Sequence, residues 1–98
     1  MTEIKKLSYK LEDIFALGKS LPVVAIRQLP KIIEQFRQLP DEQGYIPATQ
    51  NAMACHVEKF QETMLPYIDD EKFLKKSFEV AYKNHRYGPD YLALYEED

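Results

Sequence analysis

Proline stands at positions 22, 30, 40, 47, 66 and 89, and between these positions the apolar residues recur at intervals of three and four. A recurrence of this kind puts apolar side chains on one face of an α-helix. Proline removes a backbone donor and crowds the carbonyl four residues earlier, so it starts, bends or ends a helix. The two features together predict several short amphipathic helices and exclude a long straight coiled coil. No stretch alternates apolar and polar residues for long enough to argue for a strand.

The first helix is expected over residues 3–17. Ile4, Leu7, Leu11, Ile14, Phe15 and Leu17 form its stripe, Thr2 is placed to cap it, and Gly18 sits where a glycine would end it. The second is expected over 21–39, with Ser20 as N-cap and Pro22 in the first turn. Its stripe of Val23, Ile26, Leu29, Ile33 and Phe36 keeps its phase across Pro30, which favours one helix kinked at Pro30 over two separate pieces. Pro40 to Pro47 is the clearest loop, and Tyr45 and Ile46 give it an apolar side that is expected to pack down. A third helix is expected over 47–65 on Met53, Val57, Phe60 and Met64, with Ala52 and Cys55 widening the stripe. A fourth is expected over 69–86, capped by Asp69, with Phe73, Leu74, Phe78, Val80 and Ala81 inward and Lys83, His85 and Arg86 at its negative end. Gly88-Pro89 stops it, and a short helix over 89–96 follows.

At 98 residues the chain has the size of one domain, and the helical stripes make residues 1–98 a single all-α domain. Each stripe must be buried against the others, which yields a compact four- to five-helix bundle or an irregular helical array. Hydrophobic residues at 45% and charged residues at 30% are the balance of a soluble globular chain. No run approaches the length of uncharged apolar sequence that a membrane span needs, and Met1–Lys6 lacks the apolar centre of a signal peptide. A lone cysteine, Cys55, cannot close an internal disulfide, which suits a reducing cytoplasm.

Chemistry is sparse. Cys55 and His56 are adjacent, and neighbours on a helix diverge by about 100°, so they do not converge on one metal ion. A site from His56, His85 and a carboxylate has no supporting spacing. No Glu-x-x-His pair of the di-iron kind occurs, and Glu58 and Glu62 read as a solvated face. Cys55 beside Ala52 is expected in the core with His56 at its margin, so a thiol enzyme using Cys55 with His56 or His85 is the weakest reading. The three glycines stand alone at 18, 44 and 88, so no phosphate loop or dinucleotide fingerprint is present. No catalytic residue, metal or cofactor is expected.

Two binding surfaces remain. Residues 1–40 hold seven Lys and Arg against four acids (+3), and residues 41–98 hold six against twelve (−6). A basic face of Lys5, Lys6, Lys10, Arg27 and Lys31 would suit a small nucleic-acid-binding regulator, although the net charge of −3 disfavours it. Tyr82, Tyr87, Tyr91 and Tyr95 are four of the chain's seven tyrosines, and tyrosine is enriched at protein interfaces. The leading expectation is a non-catalytic protein-interaction module of the adaptor, inhibitor, immunity-type or accessory-subunit kind. Its partner is another protein, with a basic surface suited to the acids, and a homo-oligomer is compatible with this reading. The contact residues expected are Tyr45 in the loop and Tyr87, Asp90, Tyr91, Tyr95, Glu96 and Glu97 at the C-terminus. The competing expectation for the same tyrosines is that they dock back onto the bundle.

Overall fold

Thr2 opens the first helix as its sequence dictates: its hydroxyl accepts from the Lys5 amide at 3.3 Å, capping α1 (Glu3–Gly18). The computed structural model describes residues 2–84 and 88–97. Helix α2 (Pro22–Gln38) runs unbroken through Pro30. Pro30 is exposed, while Ile26, Leu29, Ile33 and Phe36 are buried on one side of it. Helix α3 (Thr49–Met64) passes into a 3₁₀ turn at Leu65–Tyr67, where Pro66 denies the helix a donor. Then come α4 (Glu71–Lys83) and α5 (Pro89–Leu92), the latter closing in a 3₁₀ turn at Ala93–Tyr95.

Several boundaries differ from expectation for local reasons. Ser20 does not cap α2; its hydroxyl donates back to the Leu17 carbonyl at 3.3 Å, and Leu21 takes the N-cap position without a side-chain bond. Asp70, not Asp69, caps α4, accepting from the Phe73 amide at 3.0 Å. Pro47 stands before the N-cap of α3, which is Ala48 with a left-handed backbone (φ 66°). The expected C-terminal end of the fourth helix, with His85 and Arg86, lies outside the described residues.

The fold is all-α. Helix α2 packs on both α1 and α3, α4 lies against α1 and touches α2, and α5 rests on α1. The radius of gyration, 13.2 Å, is what a compact chain of this length has, about 13 Å. Among the described residues no helix is long and apolar enough to cross a membrane. Phe15, Phe60 and Phe78 join α1, α3 and α4 through ring contacts of 5.0 Å (Phe15–Phe60), 5.9 Å (Phe15–Phe78) and 5.3 Å (Phe60–Phe78) between centroids. Gly18 lies under this cluster: a Cβ there would stand 2.2 Å from Cγ of Phe78. Gly18 is the last residue of α1, and its role is to let α4 approach rather than to turn the chain. Phe73 and Val80, expected inward, are exposed at 37% and 46%. Leu74, Phe78 and Ala81 occupy the buried arc of α4, and the two others fall together on one side of it, about 100° and 120° round from Leu74.

The α2–α3 connection ties several segments together. Glu42 reaches back to α1, its carboxylate accepting from the Ile4 amide at 2.9 Å. Asp41 accepts from the Ala48 amide at 3.3 Å and from the Gln50 side chain at 3.0 Å, which fixes the start of α3. Tyr45 is buried, and Thr2 donates to its hydroxyl at 3.4 Å. Gly44 supplies a positive φ of 94° that other residues rarely adopt.

Gly18→Ala forces a methyl group into the Phe78 ring and is expected to lower stability by about 1–3 kcal/mol; urea denaturation checks this. The hydrogen bond from Gln50, and then that from Ala48, holds the Asp41 carboxyl below its ordinary value of 3.8. A lowered native value means that this contribution is complete above 3.8 and is lost as pH falls through the native value. Asp41→Asn is therefore expected to show a shallower loss of thermal stability below about pH 4 than the parent chain.

Candidate functional site

The C-terminal segment is where the residues expected at a partner surface cluster, and here the rings turn inward. Leu92 is fully buried. Tyr91, immediately before it, and Tyr95, one turn after it, are half-buried against α3, where His56 meets both. The Tyr91 hydroxyl lies 2.8 Å and the Tyr95 hydroxyl 3.0 Å from Nε2 of His56, and the Tyr95 hydroxyl also lies 3.5 Å from the Tyr91 oxygen. With Nε2 unprotonated, Tyr91 donates a hydrogen bond to the ring and Tyr95 donates its one hydroxyl hydrogen to the ring or to the Tyr91 oxygen, so each tyrosine keeps a partner for its polar tip while its ring is partly covered. The backbone adds a second tie: the Ile46 amide donates to the Tyr95 carbonyl and the Glu97 amide to the Gly44 carbonyl, both at 2.8 Å, forming an isolated antiparallel bridge between Tyr45 and Glu96. Together these contacts clasp the end of the chain to the α2–α3 loop and to α3.

The individual placements follow. Tyr45, expected at a partner surface, is a core residue, because the bridge turns its ring under the loop. Tyr87 lies outside the described residues. Asp90, Glu96 and Glu97 are exposed, and Leu94 between them is 70% exposed. The segment thus spends its tyrosines internally and shows acids and one leucine outward.

Cys55 corrects another expectation. It is exposed, not buried. The buried residues of α3 include Met53, Ala54 and Val57, and Cys55 lies two residues from both Met53 and Val57, about 200° around the helix from each. It faces Arg37, whose guanidinium is raised above its ordinary value chiefly by the hydrogen bond it donates to Glu58, with a smaller contribution from Cys55. The Arg37–Glu58 pair spans 3.0 Å. His56 bonds the two tyrosines while Cys55 meets Arg37, so the adjacent pair serves two different faces. Among the described residues no three His, Cys, Asp or Glu side chains gather in a way that could hold a metal ion.

Two surface depressions stand out instead. At one end of the bundle the α1–α2 turn meets the turn before α4, and Leu21, Pro22, Val24, Ile68, Asp69 and Glu71 are among the residues lining a groove of about 400 Å³. Leu21 is 53%, Val24 42% and Ile68 37% exposed. Tyr67 and Phe73, next to it in the chain, stack at 4.2 Å between centroids with both rings partly in solvent. Further along the α1–α2 hairpin, Lys10, Arg27 and Lys31 share a second groove of about 240 Å³. Of the basic residues read together from the sequence, these three converge; Lys6 instead pairs with Glu3 at 3.1 Å.

The apolar end was missed because its residues sit outside the helical stripes. Leu21 precedes α2, and Tyr67 and Ile68 occupy a turn between Pro66 and Asp69. A signal was present nonetheless: large apolar residues in a turn, where polar ones are usual. No protein-family model, no curated protein and no solved structure matches this chain.

The clasp generates a direct expectation. Leu92→Ala removes a fully buried side chain and should cost about 2–5 kcal/mol in urea denaturation. Deleting residues 89–98 should lower both the denaturation midpoint and the helical circular dichroism of the remaining chain.

Proposed function

We propose that this protein is a non-catalytic, cytoplasmic protein-interaction module that docks its partner at the apolar end of the bundle. A single observation carries the reading: Leu21, Val24 and Ile68 stand partly in solvent around one groove with Asp69 and Glu71 on its wall. Scattered apolar side chains on a surface are ordinary, but a contiguous group with a polar rim is characteristic of docking surfaces. The cytoplasmic assignment rests on the single free thiol, Cys55.

The partner is a protein segment that inserts a large apolar side chain flanked by Lys or Arg. Charge complementarity supports this choice. Part of the Glu71 charge is met by Lys75 at 2.9 Å, and the Asp70 carboxylate caps α4, which leaves Asp69 as the anion best placed to meet a partner's cation. A rim charge of this kind steers and orients more than it tightens, whereas the apolar contact supplies the affinity. The outward acids Asp90, Glu96 and Glu97 with Leu94 repeat the same chemistry on a smaller scale.

Selection of displayed peptides against the intact protein tests the reading. The selected sequences should carry an apolar residue beside Lys or Arg. Leu21→Asp and Ile68→Asp should each weaken the best of them by more than about tenfold, while Glu97→Gln leaves binding unchanged and all variants keep the parent circular dichroism. Peptides without basic residues, or indifferent to both substitutions, would overturn it. So would sedimentation showing that the chain pairs with itself through Leu21 and Ile68.

A further inference from the structure

The second groove carries an inference independent of the apolar end. Arg27, Lys31 and Gln35 fall at i, i+4 and i+8, so they form one ridge of α2, and Lys10 and Ile14 form the facing ridge of α1. Ile14 and Ile32 give the groove its apolar surface, and the three cations are exposed around it. Like charges repel, and three cations around about 240 Å³ of space call for an anion between them. Glu12, Asp13 and Glu34, the acids nearest in sequence, are not among the walls, and among the described residues none of the three cations is in an ion pair.

Gln35 supplies an independent observation. Its Oε1 atom is the one side-chain oxygen or nitrogen among the described residues that is buried without a hydrogen-bond partner. A buried acceptor left unpaired is costly and rare in folded proteins. Gln35 also lines the groove, so a turn of its amide would carry this oxygen from its buried position towards a donor held among the cations. A guanidinium offers a planar fork that fits two phosphate oxygens, and lysine adds a mobile point charge. The complementary ligand carries a phosphate and, beside it, a hydroxyl that donates.

We propose that the Lys10–Arg27–Lys31 groove binds a small phosphate monoester with a neighbouring hydroxyl group, of the sugar-phosphate class, with the Gln35 amide turning its oxygen outward to accept from that hydroxyl. A nucleic acid is the less favoured source of the same phosphate chemistry. The cations converge on one depression instead of tracking a backbone, and the chain as a whole carries −3.

Nuclear magnetic resonance titration of the intact ¹⁵N-labelled protein at constant ionic strength tests this. Ribose 5-phosphate should shift the amides around Lys10, Ile14 and residues 27–35 saturably, and ribose alone should not. Arg27→Gln and Lys31→Gln should each weaken ribose 5-phosphate about tenfold, whereas Lys72→Gln on α4 and Leu21→Asp leave it unchanged. Gln35→Leu should bring the affinity for ribose 5-phosphate down to that for methyl phosphate, which has no hydroxyl to donate, with circular dichroism unaltered. The proposal is overturned by the absence of saturable shifts at millimolar ribose 5-phosphate, or by variants at Arg27 and Lys31 that bind as the parent does. It is equally overturned if a short DNA duplex binds more tightly than ribose 5-phosphate, with the steep salt dependence of a polyanion.

Discussion

A backbone amide or carbonyl that leaves a helix must find another partner, and in this protein the connection between α2 and α3 is where that requirement is met. Two prolines and a glycine prevent the segment from continuing either helix. Its side chains and backbone therefore serve other elements: Glu42 satisfies an amide of α1, Asp41 satisfies one at the start of α3, and Gly44 and Ile46 pair with the C-terminal segment. A chain of this size buries a limited share of its surface, so each such tie is a substantial fraction of what holds the helices in register. The exposed ion pairs do little beside it, because solvent screens them.

This arrangement gives three of the tyrosines a structural task. Tyr45, Tyr91 and Tyr95 are consumed in fastening loop, C-terminus and α3 together, with His56 as the polar anchor. What is left on the outside divides by chemistry. One end of the bundle is apolar with an acidic edge, and the flank of the α1–α2 hairpin is basic. The division follows the charge imbalance of the chain, since the basic groove draws only on residues from the first half and the acids of the apolar end come from the second.

Most of the architecture was legible because a 3–4 apolar rhythm leaves a helix one way to bury itself. Pro22 and Pro89 at helix starts, Thr2 as cap and the continuity of α2 through Pro30 all follow from local rules. Errors arose where residue character was weighed above angular position. Cys55, Phe73 and Val80 are apolar in type but lie off the buried arcs of their helices. Asp69 and Asp70 are chemically alike, and only the turn after Pro66 decides which carboxylate meets the Phe73 amide. The close approach at Gly18 and the turning of Tyr91 and Tyr95 onto His56 are tertiary events with no short-range signature. Of the candidate sites, the basic cluster was visible as a charge bias, but its narrowing to Lys10, Arg27 and Lys31 required the helices to be placed side by side.

The bridge between Tyr45 and Glu96 joins strands of sequence about fifty residues apart, and its consequence is kinetic. The α1–α2 hairpin closes over a few residues and pays little entropy for doing so, whereas the bridge must wait until a long loop has been drawn in. Loop-closure entropy therefore favours forming the hairpin before the C-terminal fastening. Contacts that close so long a loop at the end of a chain are the ones expected to open first, so the amides of Ile46 and Glu97 should exchange before those of the inner turns of α2.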